Sequence, residues 1–155
     1  MKDDALNVLD MLIRHELAIK ELYEMFSLVF EDHEDFWKSI VHDEQIHAEL
    51  LEGLRSDAGA GRWLQYEGQF KPQAIKTSTG YVENQTIRAK NGELSFMQAL
   101  AIAKDLESAL LERLSYKLKK SAPQELLSVL MRLTDETEQH MERIALIYAS
   151  EKQKA

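Results

Sequence analysis

The sequence predicts an all-α fold in which four amphipathic helices pair as two hairpins joined by a long crossover connection. Three observations predict it. Apolar residues recur at helical spacing in four separate segments. The stretch between the second and third of these, 56–93, loses that period and is rich in glycine. A Glu-x-x-His step, Glu44-Gln45-Ile46-His47, returns 93 positions later, at Thr137-Glu138-Gln139-His140, with Thr where the Glu would stand. A connector this long is unusual within a compact domain. A crossover, however, must run the length of a helix, about 30 Å for 20 residues, and a bundle with one crossover requires such a segment.

The elements follow in order. Leu6, Leu9, Ile13, Ile19, Tyr23, Phe26 and Phe30 place a first helix over about 4–30. Asp32 is the expected N-cap of a second helix over about 33–54, with Trp37, Ile40, Leu51 and Leu54 on one stripe and Gly53 near its end. Together they make a hairpin over about 4–55. The crossover at 56–93 holds Gly59, Gly61, Gly68, Pro72, Gly80 and Gly92, with room for a short helix around 62–70. Ser95 and Gln98 form a capping box for a third helix reaching about Lys120. Ser121-Ala122-Pro123 then starts a fourth helix that runs to about Ser150, completing a hairpin over about 95–150.

The 155 residues suit a single domain, 1–155, and 45% apolar with 30% charged residues is an ordinary globular composition. With 27 acidic against 19 basic residues, the net charge of −8 disfavours nucleic acid and anionic membrane as partners and favours cations. The absence of cysteine excludes disulfides and thiolate metal sites within the chain, leaving carboxylates and imidazoles as the possible metal ligands. Acids occupy the place of a signal peptide's basic region at Met1-Lys2-Asp3-Asp4, and no segment is apolar for the roughly 20 residues a membrane span needs. The expected location is the cytoplasm.

Spacings of four and three residues pick out the inward stripe of each helix. The first carries Leu9, Ile13, Glu16, Tyr23 and Phe30; the second Trp37, Ile40, Glu44, His47, Leu51 and Leu54. The third carries Phe96, Leu100, Ala103, Glu107, Leu110, Leu114 and Leu118; the fourth Leu126, Leu130, Leu133, Thr137, His140, Ile144 and Ile147. Each stripe is interrupted by polar residues near its middle. Carboxylates facing one another across an apolar seam repel and are poorly solvated unless they coordinate a cation. Oxygen and imidazole donors without sulfur suit iron, manganese or zinc.

Three runs carry a resemblance to a known family. Glu16-Leu17-Ala18-Ile19-Lys20-Glu21-Leu22-Tyr23-Glu24-Met25-Phe26 is one, with Tyr seven residues after Glu. The others are Phe36-Trp37 through Glu44-Gln45-Ile46-His47-Ala48-Glu49-Leu50-Leu51, and Ala99-Leu100-Ala101-Ile102-Ala103-Lys104-Asp105-Leu106-Glu107. The chain resembles the rubrerythrin-type branch of the ferritin-like family, without the rubredoxin tail. The similarity covers all four helices and is weak in the connector.

That resemblance implies a ferritin-like four-helix bundle whose metal ligands are Glu16, Glu44, His47, Glu107 and His140, with Thr137 in place of a bridging Glu. It implies two iron ions, or one given Thr137, with manganese or zinc as alternatives. The implied activity is Fe(II) oxidation or peroxide reduction, an oxidoreductase of ferroxidase or peroxidase type, with peroxide or oxygen as the partner molecule. Without cysteine, turnover needs an external electron donor, and a homodimer is the expected assembly. Trp63, Tyr66, Phe70 and Tyr81 in the connector are the first place to seek its interface.

Each of these readings has a plainer counterpart. Glu136 and Glu138 flank Thr137, but each lies about 100° around a regular helix, so only a local π-bulge would turn one inward. Tyr23 could donate a hydrogen bond to a ligand carboxylate, although packing is the commoner role of such a tyrosine. His15, His33 and His42 fall off the stripes and read as surface histidines. A non-redox metal-binding or sensing module holding one Zn or Fe, and a structural bundle with a vestigial site, stand as alternatives to the enzyme.

Overall fold

A computed structural model describes residues 2–67, 70–116 and 122–154, and every regular element among them is helical. These are α1 (Lys2–Val29), a 3-10 turn (Glu31–His33), α2 (Glu34–Glu52), α3 (Ala58–Arg62), a π-helical turn (Trp63–Glu67), α4 (Pro72–Lys90), α5 (Phe96–Tyr116) and α6 (Gln124–Lys154). α1 packs along both α2 and α4, α5 packs along α6, and α2 touches α6. None of these helices is long and apolar enough to cross a membrane. Leu118, Ser121 and the expected end of the third helix near Lys120 lie outside the described residues, as do the side chains of Leu6 and Tyr66.

Two expectations about local structure are corrected. Asp32 does not cap α2: it lies inside the 3-10 turn, and no side chain caps the helix at His33. The turn supplies backbone acceptors instead, Phe30 O for the His33 N–H at 3.0 Å and Glu31 O for the Glu34 N–H. The connector is also far more ordered than its glycines suggest. Asp57 caps α3 by accepting from the Ala60 N–H at 3.0 Å, and Pro72 opens the 19-residue helix α4. Only Ile75, Val82, Gln85 and Ala89 of α4 are buried, a narrow ridge laid on α1, while Gly80 is exposed on the outer side.

The junction that follows is set by local chemistry. Gly92, at φ +73°, takes the left-handed conformation that ends α4, with the Glu93 N–H bonded to Arg88 O at 2.9 Å and the Gly92 N–H to Ala89 O at 3.1 Å. The Ser95–Gln98 capping box then forms as expected. The Gln98 N–H donates to Ser95 Oγ at 3.1 Å and the Ser95 N–H to Gln98 Oε1 at 2.9 Å.

The core forms two apolar clusters. One gathers Ile19, Leu22, Tyr23, Phe26, Trp37, Ile40, Leu100 and Ile144; the other gathers Leu9, Ile13, Leu51, Leu64, Leu126, Leu130 and Leu133. On α1, α2 and α6 the chain passes from one cluster to the other through Glu16, through Glu44 and His47, and through Thr137 and His140, all buried. A polar layer therefore divides the interior. Trp63 and Phe70 belong to the second cluster and are buried, so they offer no surface for association, whereas Tyr81 is exposed.

Candidate metal centre

The five charged or imidazole side chains expected on the seams meet in this layer. Glu16, Glu44, His47, Glu107 and His140 are each at most 6% exposed. They group as two triads, Glu16–Glu44–His47 and Glu44–Glu107–His140, with the candidate ligand atoms of each within 4.8 Å of one another. Glu44 belongs to both. Its Oε2 lies 3.3 Å from His47 Nδ1, and its Oε1 lies 3.4 Å from His140 Nδ1. Glu16 Oε2 stands 3.9 Å from His47 Nδ1, and Glu107 Oε1 stands 3.5 Å from His140 Nδ1. Each triad thus has one histidine, one carboxylate of its own and one oxygen of a shared carboxylate.

The atoms that face inward lack other work. Glu16 Oε2, both Glu44 oxygens, Glu107 Oε2 and His140 Nδ1 are sealed from solvent without a hydrogen-bond partner. Buried polar atoms are rarely left so. Convergent lone pairs of this kind fit a cation, so these buried Glu and His groups could hold a metal ion.

The outer imidazole nitrogens are held, and held reciprocally. His47 on α2 donates from Nε2 to Glu136 Oε1 on α6 at 3.1 Å, while His140 on α6 donates from Nε2 to Asp43 Oδ2 on α2 at 2.8 Å. Arg132 fixes Glu136 through Nε to Oε2 at 2.8 Å. A proton on Nε2 leaves the Nδ1 lone pair directed into the triads, the tautomer a metal ligand needs. Asp43 was not identified from the sequence, and Glu136 only as a possible metal ligand, although each immediately precedes the ligand position of its motif copy, in Asp43-Glu44-x-x-His47 and Glu136-Thr137-x-x-His140.

Other candidates find other places. α6 is a regular α-helix from Gln124 to Lys154, and no π-bulge rotates a carboxylate into the gap. Glu138 is exposed, while Glu136 reaches only the far side of His47. Thr137 itself is buried on the seam. Tyr23 donates its hydroxyl proton to Glu107 Oε1 at 2.9 Å and packs its ring 5.5 Å from that of Trp37. His42 is exposed as expected, but His33 is half-buried and stacks on Phe96 with ring centres 4.0 Å apart. His15 is not a surface residue: α4 covers it, and its Nε2 shares a 2.7 Å hydrogen bond with Ser78 Oγ.

Compared with protein-family models, with curated proteins and with solved structures, the chain matches none. The chemistry must therefore be read from the site.

Without a cation the cluster is balanced by protons. Burial, and then the neighbouring charges of Glu44 and Glu107, raise the Glu16 carboxyl well above its usual range. Burial and the Glu44 charge push Glu107 up to about 7. Burial also works against ionisation of Glu44, but its close polar contacts with Glu16, His140 and His47 outweigh it and hold Glu44 low. Burial opposes the charge on His140, yet the carboxylates of Glu107 and Glu44 beside its Nδ1, at 3.5 and 3.4 Å, lift it to about 11. Burial and the Glu107 charge keep the Tyr23 phenol protonated far into the alkaline range. Away from the cage, burial and the Arg113 charge depress His15 to about 4, leaving it neutral.

The reciprocal imidazole contacts give a prediction. Asp43→Asn should weaken cation binding at the His140 triad, and Glu136→Gln at the His47 triad, by about 10–100-fold each. In calorimetric titration each variant should keep one tight and one weak position. Equal weakening of both positions by either variant would contradict the crossed arrangement.

Proposed function

We propose that the chain is a rubrerythrin-like member of the ferritin-like proteins, a four-helix bundle that binds two divalent ions and uses iron to oxidise Fe(II) or reduce peroxide. The observation that carries this reading is Glu44, whose two oxygens face two separate triads and leave each carboxylate–imidazole set with room for its own ion. Bound iron would supply the redox chemistry.

The chain's residues supply the rest. Glu16 and His47 would hold one ion, Glu107 and His140 the other, and Glu44 would tie them together. Asp43 and Glu136 orient the imidazoles. Tyr23 holds Glu107 in position and keeps its phenolic proton within hydrogen-bond distance of a ligand oxygen. Trp37 and Phe26, both fully buried, wall the layer from water on one side, and Leu130 and Leu133 do so on the other. With no cysteine in the chain, reducing equivalents for turnover come from outside it.

Anaerobic titration with Fe(II), followed by a peroxide pulse, tests the proposal. About two ions per chain are expected at micromolar protein, as two complete triads require, with iron oxidised on the pulse. Fewer than one ion per chain would sink it. Thr137 favours a second reading, a non-redox binding or sensing module, because it removes the carboxylate normally shared by both ions. One zinc per chain after growth in iron-rich medium, or iron that does not cycle with peroxide, would establish that alternative.

A further inference from the structure

The two ion positions differ in where their ligands come from. Glu16 lies on α1, and Glu44 and His47 lie on α2, so one triad is built within the first hairpin, whose helices pack along each other. The other triad takes Glu107 from α5 and His140 from α6 but Glu44 from α2, and so spans both hairpins. Thr137 is the reason. On α2 the Glu44–His47 pair completes a triad with the Glu of the neighbouring helix, whereas on α6 the corresponding pair is Thr137 and His140. Among the described residues of α5 and α6, Glu107 and His140 are the only buried carboxylate and imidazole. Glu138 is exposed, and Glu136 is engaged by His47 and Arg132. The second hairpin thus completes a triad only by borrowing Glu44 from the first.

That borrowing places one ion across the junction between the hairpins. The two apolar clusters draw on both hairpins and hold them together on either side of the polar layer. Within the layer the junction is crossed by hydrogen bonds of Tyr23 with Glu107, His47 with Glu136 and His140 with Asp43. Beside these links, both Glu44 oxygens, Glu107 Oε2 and His140 Nδ1 are buried without partners, which favours opening of the layer to water. A cation in the bridging triad satisfies these atoms and joins α2 to α5 and α6. A cation in the other triad joins only α1 and α2.

Building on the dinuclear reading above, we propose that the bridging position is a clamp, at which a divalent cation held by Glu44, Glu107 and His140 fastens the second hairpin onto the first. A ligand that binds only the closed arrangement stabilises it in proportion to its concentration over its Kd. The ion at Glu16 and His47 stays bound when the second hairpin opens, and so leaves that opening unopposed. The cation level therefore sets how tightly the two hairpins close.

Amide hydrogen exchange on the full-length chain, in EDTA and in Mn(II) at about 100 times its Kd, provides the test. Amides of α5 and α6 that exchange when the second hairpin opens should gain about 100-fold in protection. Glu16→Gln should keep this gain and Glu107→Gln should lose it. An undiminished gain in Glu107→Gln, or its loss in Glu16→Gln, overturns the clamp while leaving the metal centre standing. Failure of the wild-type chain to bind Mn(II) overturns both. The role of Thr137 is tested by adding Thr137→Glu to Glu44→Gln, which gives the second hairpin a carboxylate of its own. Metal analysis should then find one ion restored, and a folded double variant without an ion would overturn that role. Should the double variant or Glu107→Gln not fold, the exchange gain in Glu16→Gln decides alone, its loss overturning the clamp.

Discussion

Glu44→Gln should abolish cation binding at both triads, whereas Glu16→Gln and Glu107→Gln should each remove one ion and leave the other. The asymmetry follows from placement, since among the described residues only Glu44 presents an oxygen to both His47 and His140. Loss of a carboxylate that contacts the ion should cost more than loss of a group that merely orients a ligand, so a decrease beyond about 100-fold at each position is expected. The metal-free variants should differ in stability as well. Glu16 has its carboxyl raised into the protonated form, so Gln replaces it with little change of charge. Glu44 is held ionised by its neighbours, and Gln there strands two partly charged imidazoles in the interior. Removing one partner of such a buried arrangement costs about 3–5 kcal/mol. Metal analysis after dialysis, with thermal melts in EDTA, gives both readouts. Retention of one full ion by Glu44→Gln would show that the two triads do not depend on a common carboxylate.

The seams were legible because each ligand helix is packed along one whole stripe, so its period survives in a single sequence. Glu16, Glu44, Glu107, Thr137 and His140 could be assigned to the interior from spacing alone, and all five are buried. α4 could not be read this way. It touches the rest of the protein along one ridge, and between Ile75 and Val82 its sequence is Lys76-Thr77-Ser78-Thr79-Gly80-Tyr81, with no second apolar row to reveal a helix. The misreading of His15 follows directly: nothing in its own neighbourhood shows that a later segment will cover it and supply Ser78. The roles of Asp43 and Glu136 in holding the imidazoles were hidden for a different reason. Each sits about 100° off its stripe and is partly exposed, which makes it indistinguishable in sequence from the other acids on those helices. The deciding contact, an imidazole from the opposite motif helix, exists only once α2 and α6 lie together.

The metal-free protein should lose stability as pH rises above neutrality, contrary to the usual preference of folded proteins, and bound metal should reverse the trend. The sign follows from which state holds the protons. Glu107 titrates at about 7 in the folded chain against 4.5 as the ordinary value, so between these limits the unfolded chain releases a proton that the folded chain retains, and stability falls as pH rises. Across that whole window this group accounts for about 3 kcal/mol, on the order of 10 °C in Tm for a chain of this size, and the loss is complete by about pH 7, so His140 carries the decline above neutrality. His140, raised to about 11 from 6.5, acts in the same direction: its contribution is complete below 6.5 and is lost as pH climbs through 11. His15 opposes them only at lower pH. Its ring, at about 4, is neutral when folded and charges on unfolding below 6.5, so its contribution is lost on acidification. The ionised Glu44 likewise loses its contribution in acid. The metal-free chain should therefore be most stable slightly on the acid side of neutrality. Cations require the same carboxylates ionised and the same Nδ1 atoms free, so their binding expels these protons and strengthens as pH rises. Melting curves at about pH 6 and about pH 8.5, in EDTA and in saturating Mn(II), test the linkage. Tm should fall between the two pH values in EDTA, and the increment from Mn(II) should widen. A Tm in EDTA that rises with pH across that interval would show that the cage carboxylates are already ionised without metal, and that something other than protons balances their charge.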